Sequence, residues 1–282
     1  MDMSGADWMK PKPEETREPV DLQTDRPHPA RVYDFLLGGK DNFPADRGAA
    51  EAGLRANPNS RIPPRENRAF LRRAVEYLAG EAGIRQFLDI GTGIPTSPNV
   101  HEVAQAIAAD SRVVYVDNDP IVLAHARALL TSKPEGRTEY IDADLRDVRR
   151  ILDSPQLRDV IDFDQPVALL LIAILHFVGD ADEPYAIVQD LLDALPPGSY
   201  LALSHLTGDF DPVAWEHVAA IYARQGVTMQ VRPHDDIARF FTGLELVEPG
   251  LPLVTKWRPD EHVSPDITDT QVSVYGGVAK KA

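Results

Sequence analysis

The chain has 282 residues, 43% of them apolar, which suffices for one large or two modest domains with a sizeable core. Acids outnumber bases 44 to 29, and the formal charge of −15 opposes approach to phosphate backbones, so nucleic acid is not an expected partner. Cysteine is absent, which excludes disulfides, thiolate metal sites and a cysteine nucleophile.

Residues 1–27 are rich in Pro, Glu, Asp, Lys and Arg and poor in apolar side chains, so a disordered tail is expected there. The first residues, Met-Asp-Met-Ser-Gly-Ala-Asp-Trp, show neither a basic n-region nor an apolar h-region, and the longest apolar run, residues 167–175, is far short of the ~20 residues a bilayer span needs. The expectation is a cytoplasmic protein with no membrane contact. Residues 28–82 read as a helical cap or lid, with the clearest helix over 66–80 on the spacing of Phe70, Leu71, Ala74, Val75 and Leu78. Of Arg61, Arg65, Arg68, Arg72 and Arg73, the residues Arg65, Arg68 and Arg72 share a helix face, which reads as a solvated face rather than as a patch for an acidic ligand. Between Arg31 and Phe43, Gly38-Gly39 is followed by Lys40, Asp41 and Asn42 and flanked by Tyr33, Phe35 and Phe43. Two readings stay open: a segment folding over a ligand, or a helix that ends at Gly38 as its C-cap with the aromatics simply packing.

From residue 83 onward, strands and helices alternate to residue 282, the sign of an α/β, doubly wound, mostly parallel sheet with helices on both faces. Strands are expected near 86–90, 112–116, 138–141, 167–174 and 199–205, with 244–247 and 271–278 closing the sheet. Helix starts are signalled by Ser97-Pro98 or the Asn99/Glu102 pair, by Asp119-Pro120 and by Asp211-Pro212. The helix after Asp119 points Ile121, Val122, Ala126, Leu129 and Leu130 inward. The eight histidines never fall at a short repeat and 180–183 lacks the rest of a calcium loop, so no metal site is expected.

The chemistry concentrates in two strand ends. Leu88 to Gly93, Leu-Asp-Ile-Gly-Thr-Gly, reads as a strand entering a tight turn whose glycines let the backbone approach a ligand. About two dozen residues on, Val113 to Asp117 delivers a carboxylate placed to accept from both hydroxyls of a ribose. A dinucleotide loop wants a third glycine where Thr96 follows Pro95, and a phosphate loop wants Gly-Lys-Ser/Thr, whereas residues 88–100 hold no Lys or Arg and carry Asp89. S-adenosyl-L-methionine has a ribose, no phosphate, and two cationic groups that acids favour, so the residues point to it over NAD.

Asp89-Ile-Gly91-Thr-Gly93, Asp117-Asn118-Asp119-Pro120 and Asp142-Ala-Asp144-Leu145 resemble, in order and spacing, the first three motifs of Rossmann-like S-adenosylmethionine methyltransferases. With Pro29 to Phe43, Asn99-Val-His-Glu102-Val-Ala, Leu175-His176-Phe177 and residues 243–250, the chain resembles over 28–280 an actinobacterial S-adenosyl methyltransferase family. The resemblance implies the Rossmann-like fold and the cofactor but no particular acceptor; a small molecule is expected, and oligomeric state is not indicated.

The expected cofactor contacts are Asp89, Gly91, Thr92 and Gly93 at the loop, Asp117 and Asn118 at the ribose, Asp144 with Asp142 as its rival at the adenine amine, and Leu145 or Ile94 against the ring. Ala173 or Ile174 would line the methyl position, and Asn42 would reach the site if the 31–43 segment closes over it. Alignment and desolvation supply about 7–11 kcal/mol of such a barrier, so a general base is optional. For a hydroxyl acceptor the candidates are His176, Tyr33 and Asp34, in that order. The alternatives are a cofactor-binding sensor without turnover and, less well supported, an NAD-dependent oxidoreductase.

Overall fold

A computed structural model describes residues 21–129 and 132–282; residues 1–20 of the expected tail, and Leu130, lie outside the described residues, as does the side chain of Leu129. Three helices come first, α1 (Pro29–Leu37), α2 (Pro44–Ala56) and α3 (Ile62–Gly80). Strand and helix then alternate through β1 (Gln86–Ile90), α4 (Val100–Ile107), β2 (Arg112–Asp117), α5 (Pro120–Leu129), β3 (Arg137–Asp142), α6 (Val148–Leu152), α7 (Pro155–Val160) and β4 (Ala168–Ile172). The chain finishes with α8 (Pro184–Asp193), β5 (Tyr200–Leu206), α9 (Pro212–Ala223), α10 (His234–Ala238), β6 (Leu244–Leu246), α11 (Asp269–Val272) and β7 (Val274–Lys281).

The strands form one sheet in the order β3-β2-β1-β4-β5-β7-β6, with β1 to β5 parallel and β7 antiparallel to both neighbours. Chain order reverses between β1 and β4, and at such a switch point the carboxyl ends of the strands leave a crevice. Successive side chains alternate between two buried layers: Phe87, Val113 and Leu170 on one face, Leu88, Val114, Leu169 and Leu171 on the other. Because both faces are covered, the central strands read as unbroken apolar runs rather than as polar alternation. Ile121, Val122 and Ala126 are buried as the pattern after Asp119 requires.

Helix ends follow their local chemistry. Asn99 caps α4 while Glu102 Oε2 accepts from its backbone amide, and Asp211 Oδ1 accepts from Ala214 N at the start of α9. Helix α3 begins four residues before the expected position because Pro63 and Pro64 occupy its first turn, where a missing amide costs nothing. The strand expected over 271–278 begins at Val274 instead. Thr268 and Gln271 form a capping box that starts the short α11, and Ser273 turns out of it at φ 44°. Likewise β4 stops at Ile172, because Ala173 takes φ 56° and bends the chain away from the sheet.

The three leading helices lie against the crevice. Helix α1 ends at Gly38 with φ 85°, its amide donating to the carbonyls of Asp34 and Phe35. Arg31, buried, holds α1 down: its Nε lies 3.0 Å from Asp119 Oδ2, beyond β2, and 3.7 Å from Asp46 Oδ1 on α2. Its other nitrogens donate to the carbonyls of Gln23 and Arg26, so residues 21–27, assigned to the tail by composition, pack on α1.

The arginine face of α3 is not the solvated face expected. Of Arg65, Arg68 and Arg72, only Arg65 is exposed: Arg72 pairs with Glu76 and Asp260, and Arg68 donates to the carbonyls of Thr96 and Pro98; Arg73, off that face, is buried and donates to the carbonyls of Trp257 and Val254. Helical spacing alone could not separate these positions, because Asp260 and the carbonyls of Thr96, Pro98, Val254 and Trp257 lie far along the chain.

Candidate active site

Two cavities meet at the carboxyl end of the sheet. The first, of about 160 Å³, is lined by the ends of β1, β2 and β4, the residues just after β3, and one side of α1 and α3. The second, of about 60 Å³, lies between α1, α2, α3 and α9. Pro29, Tyr33, Asn67, Ala173 and Phe177 line both, so the two spaces share a wall at the bend after β4.

In the first cavity the loop after β1 is shaped by two glycines at positive φ, Gly91 at 77° and Gly93 at 70°. A Cβ at Gly91 would stand 2.7 Å from the Ile174 side chain, whereas one at Gly93 would meet nothing within 4 Å, so backbone there faces open space. Asp117 fixes the loop: its Oδ2 accepts from Gly93 N at 2.8 Å and its Oδ1 from Asp119 N at 2.9 Å. Asp119 in turn caps α5 through Ile121 N, which leaves Asp117 as the carboxylate that faces the cavity. Burial raises the Asp117 carboxyl against the two amides it accepts from.

Asp89 is buried at the end of β1 and accepts from Thr92 Oγ1 at 3.2 Å. Burial pushes its carboxyl up to about 7, against the pull of Arg68 and Thr92 and with a push from Asp117. Two buried acids thus face one cavity, with Arg68 and Arg146 as the arginines among its lining residues. After β3, Asp144 lines the cavity and Asp142 does not. Against the opposing effect of burial, the amide and guanidinium of Arg146 hold Asp144 below the usual carboxylate range, and Asn118 Nδ2 donates to its Oδ2 at 2.8 Å. Leu145 and Ala143 give the same wall an apolar surface; Ile94 is buried and lines neither cavity.

At the shared wall a buried chain of hydrogen bonds joins sheet and cap. Ser204 Oγ accepts from Ala173 N at 3.0 Å and donates to Asn67 Oδ1 at 2.5 Å; Asn67 Nδ2 donates to Tyr33 Oη at 2.9 Å, and Tyr33 donates to the Pro64 carbonyl at 2.9 Å. Ala173 has a left-handed backbone that costs an L-residue about 1–3 kcal/mol, a strain this chain of bonds holds in place. Burial raises the Tyr33 hydroxyl, whose proton is donated to the Pro64 carbonyl.

His176 lines the second cavity only, with Nδ1 buried and unpartnered. Burial, then His205 and Arg232, lower it well below the usual histidine range, so the ring is neutral near pH 7. Arg232 is buried behind it and donates to the carbonyls of Leu175 and Val178, to His205 Nε2 and to Asp180 Oδ1, which fixes the turn that carries His176.

Besides Ile94 and Asp142, two more expected residues, Asp34 and Asn42, are not brought to either cavity. Asn42 Nδ2 donates to Asp34 Oδ2 and to the Gly39 carbonyl, while Asp34 Oδ2 also accepts from Asp41 N. The pair is consumed in building the Gly38-Gly39 turn, so neither Asp34 as base nor Asn42 as cofactor contact has support from its position. The residue that sequence reasoning passed over is Arg68, whose neighbours Thr96 and Pro98 are separated from it by the rest of α3 and by β1. Arg68 and Asn99 hold the loop at Thr96, the position where a dinucleotide loop would carry its third glycine.

Comparison with known proteins agrees with this geometry. The profile of a family described as S-adenosyl methyltransferase matches residues 15–282. A solved DUF574-family protein from Streptomyces avermitilis is 53% identical with TM-score 0.91, the match covering 93% of this chain and 100% of that one. A methyltransferase candidate from Thermobifida fusca is 43% identical with TM-score 0.85, over 95% of this chain and 100% of that one. The magnesium protoporphyrin IX methyltransferase of Synechocystis, solved with S-adenosylhomocysteine bound, shares the fold at 11% identity and TM-score 0.53, over 89% and 93% of the two chains. No curated protein matches. With its Rossmann-like sheet and a family match over nearly its whole length, the chain belongs to the S-adenosyl methyltransferase family and is an S-adenosylmethionine-dependent methyltransferase.

Proposed function

We propose that the first cavity holds S-adenosylmethionine and that a small-molecule acceptor meets it from the second, across the wall at Ala173. The observation that carries this is the sharing of Tyr33, Asn67, Ala173 and Phe177 by a cavity lined with acids and a cavity lined with apolar side chains. Asp117 would accept from the ribose hydroxyls on lone pairs left free by its two amide bonds. Asp144 and Asn118 would face the adenine amine, and Leu145 the ring. Asp89 suits the ammonium group, with Gly91, Thr92 and Gly93 bringing backbone alongside, and Arg68 suits the carboxylate at the same end.

When bound, the cofactor supplies a methyl group whose bond to sulfur breaks with the electron pair staying on sulfur, as an acceptor lone pair bonds to carbon. The protein's part is alignment and exclusion of water. Residues 28–82 act as the cap: Arg31 and Tyr33 clamp α1 over the crevice. For a hydroxyl acceptor, neutral His176 Nδ1 would take the proton; its lowered basicity makes this an assist to alignment rather than the main source of rate. No helix among the described residues is long and apolar enough to cross a membrane, which fits the cytoplasmic placement expected from the sequence. The Streptomyces and Thermobifida relatives favour an actinobacterial origin.

The test is methyl transfer from labelled S-adenosylmethionine to a panel of neutral hydroxylated small molecules, run beside calorimetry with S-adenosylhomocysteine. Transfer to a small molecule, reduced in His176→Ala with cofactor affinity unchanged, is expected. Tight cofactor binding with no transfer to any small molecule or protein fraction would favour the sensor reading instead.

A further inference from the structure

Among the side chains that line the second cavity there is no Asp, Glu, Lys or Arg. Its one titratable ring near neutrality, His176, is held neutral by its surroundings. Arg232, the nearest cation behind that ring, spends its donors on two carbonyls, His205 and Asp180. A charged group entering this space would lose its water and find no counter-charge, a cost large enough to exclude it. The cavity's size sets a second limit. Its volume of about 60 Å³ is well under the 160 Å³ of the first cavity, so the acceptor group it takes is small.

Two polar atoms on this wall have no partner. Trp215 is 3% exposed and its Nε1 is buried without a hydrogen bond; His176 is 3% exposed and its Nδ1 is in the same condition. Buried polar groups in native proteins are nearly always satisfied, and these two belong to residues that line one cavity, where a ligand that displaces the wall slightly could pair with them. The indole can only donate, which asks the ligand for an acceptor atom. A hydroxyl meets the imidazole in either tautomer, because it both gives and takes a hydrogen bond.

We propose that the second cavity selects a small, uncharged, hydroxyl-bearing acceptor, and that the Trp215 Nε1–H is the donor that orients it. The proposal rests on the reading of the first cavity as the methyl-donor site. Selection then lies in the cap and α9, not in the sheet that holds the cofactor. Gly53 on α2 sets the depth. A Cβ there would stand 3.6 Å from Tyr222 Cε2, an ordinary contact, so alanine fits the fold and takes ligand space.

The test uses full-length protein saturated with S-adenosylhomocysteine, its affinity measured first, and titrated with p-cresol, benzoate and benzylammonium as neutral, anionic and cationic probes of similar size. The proposal expects p-cresol to bind about tenfold more tightly than either ion. It expects Trp215→Phe, which keeps the ring and loses the N–H, to weaken p-cresol about fivefold while S-adenosylhomocysteine affinity stays within about twofold. Gly53→Ala, a folded control by the same cofactor reading, should also weaken p-cresol. Equal binding of an ion, no binding of p-cresol, or p-cresol affinity untouched by Trp215→Phe overturns the proposal while leaving the methyl-donor site intact. Failure to bind S-adenosylhomocysteine would instead sink the reading it rests on.

Discussion

The two cavities differ in how their polar atoms are used. In the first, nearly every acid is already wired: Asp117 to Gly93 and Asp119, Asp89 to Thr92, Asp144 to Asn118 and Arg146. In the second, Trp215 and His176 carry unpartnered nitrogens on an apolar wall. A preorganised polar site holds one ligand chemistry and resists change, because each group is held by backbone amides or by neighbours on another strand. An apolar site with a few waiting donors is retuned by single side chains.

The largest expected effect lies on the wired side. Asp117→Ala removes a carboxylate that ties the glycine loop to α5 as well as the expected ribose contact, and S-adenosylhomocysteine affinity by calorimetry should fall about 100-fold or more. A loss of less than about threefold would break the distinction between the two sides. Next, Tyr33→Phe leaves Asn67 Nδ2 without its Tyr33 acceptor at the shared wall, and denaturant unfolding should show a loss of about 1–3 kcal/mol. An unchanged unfolding midpoint would mean that the junction is not under tension.

Smaller again is Arg68→Met. Affinity should drop about tenfold, with p-cresol binding to the cofactor-loaded protein unchanged, since Arg68 lines the first cavity only. The subtlest effect is a pH dependence. Pairing with an ammonium needs ionised Asp89, so affinity for S-adenosylmethionine should rise up to about tenfold per pH unit below about 7 and level off above it. In Asp89→Asn this slope should vanish. The sign for stability is opposite: a carboxyl raised from 3.8 to about 7 by burial contributes stability that is full below about pH 4 and is lost as pH rises through about 7, so the asparagine variant should gain in Tm over wild type between about pH 4 and 7 and keep that margin above it. A Tm difference that does not change with pH would contradict the burial of an ionised Asp89.

The same contrast decides what was legible in the sequence. The parallel sheet, its glycine turn and the acids at Asp117 and Asp144 were readable because each sits at a strand end, within a few residues of the element that aims it. Choosing Asp144 over Asp142 required the strand's register, which a chain with an acid at both positions does not display. Arg68 looked like surface because its partners are loop carbonyls about thirty residues away. Asp34 and Asn42 looked functional because polar residues beside glycines serve turns and ligands equally well, and here they serve the turn. The second cavity was illegible: it joins Val32, Gly53, Trp215 and Val274, which no periodicity connects.

The most direct test of the account is a crystal structure of the protein with S-adenosylhomocysteine bound. The account predicts ribose hydroxyls within hydrogen-bond distance of Asp117, adenine between Asp144 and Leu145, and the sulfur facing Ala173 and the second cavity. Adenosine placed away from Asp117, or sulfur turned from the shared wall, would contradict it.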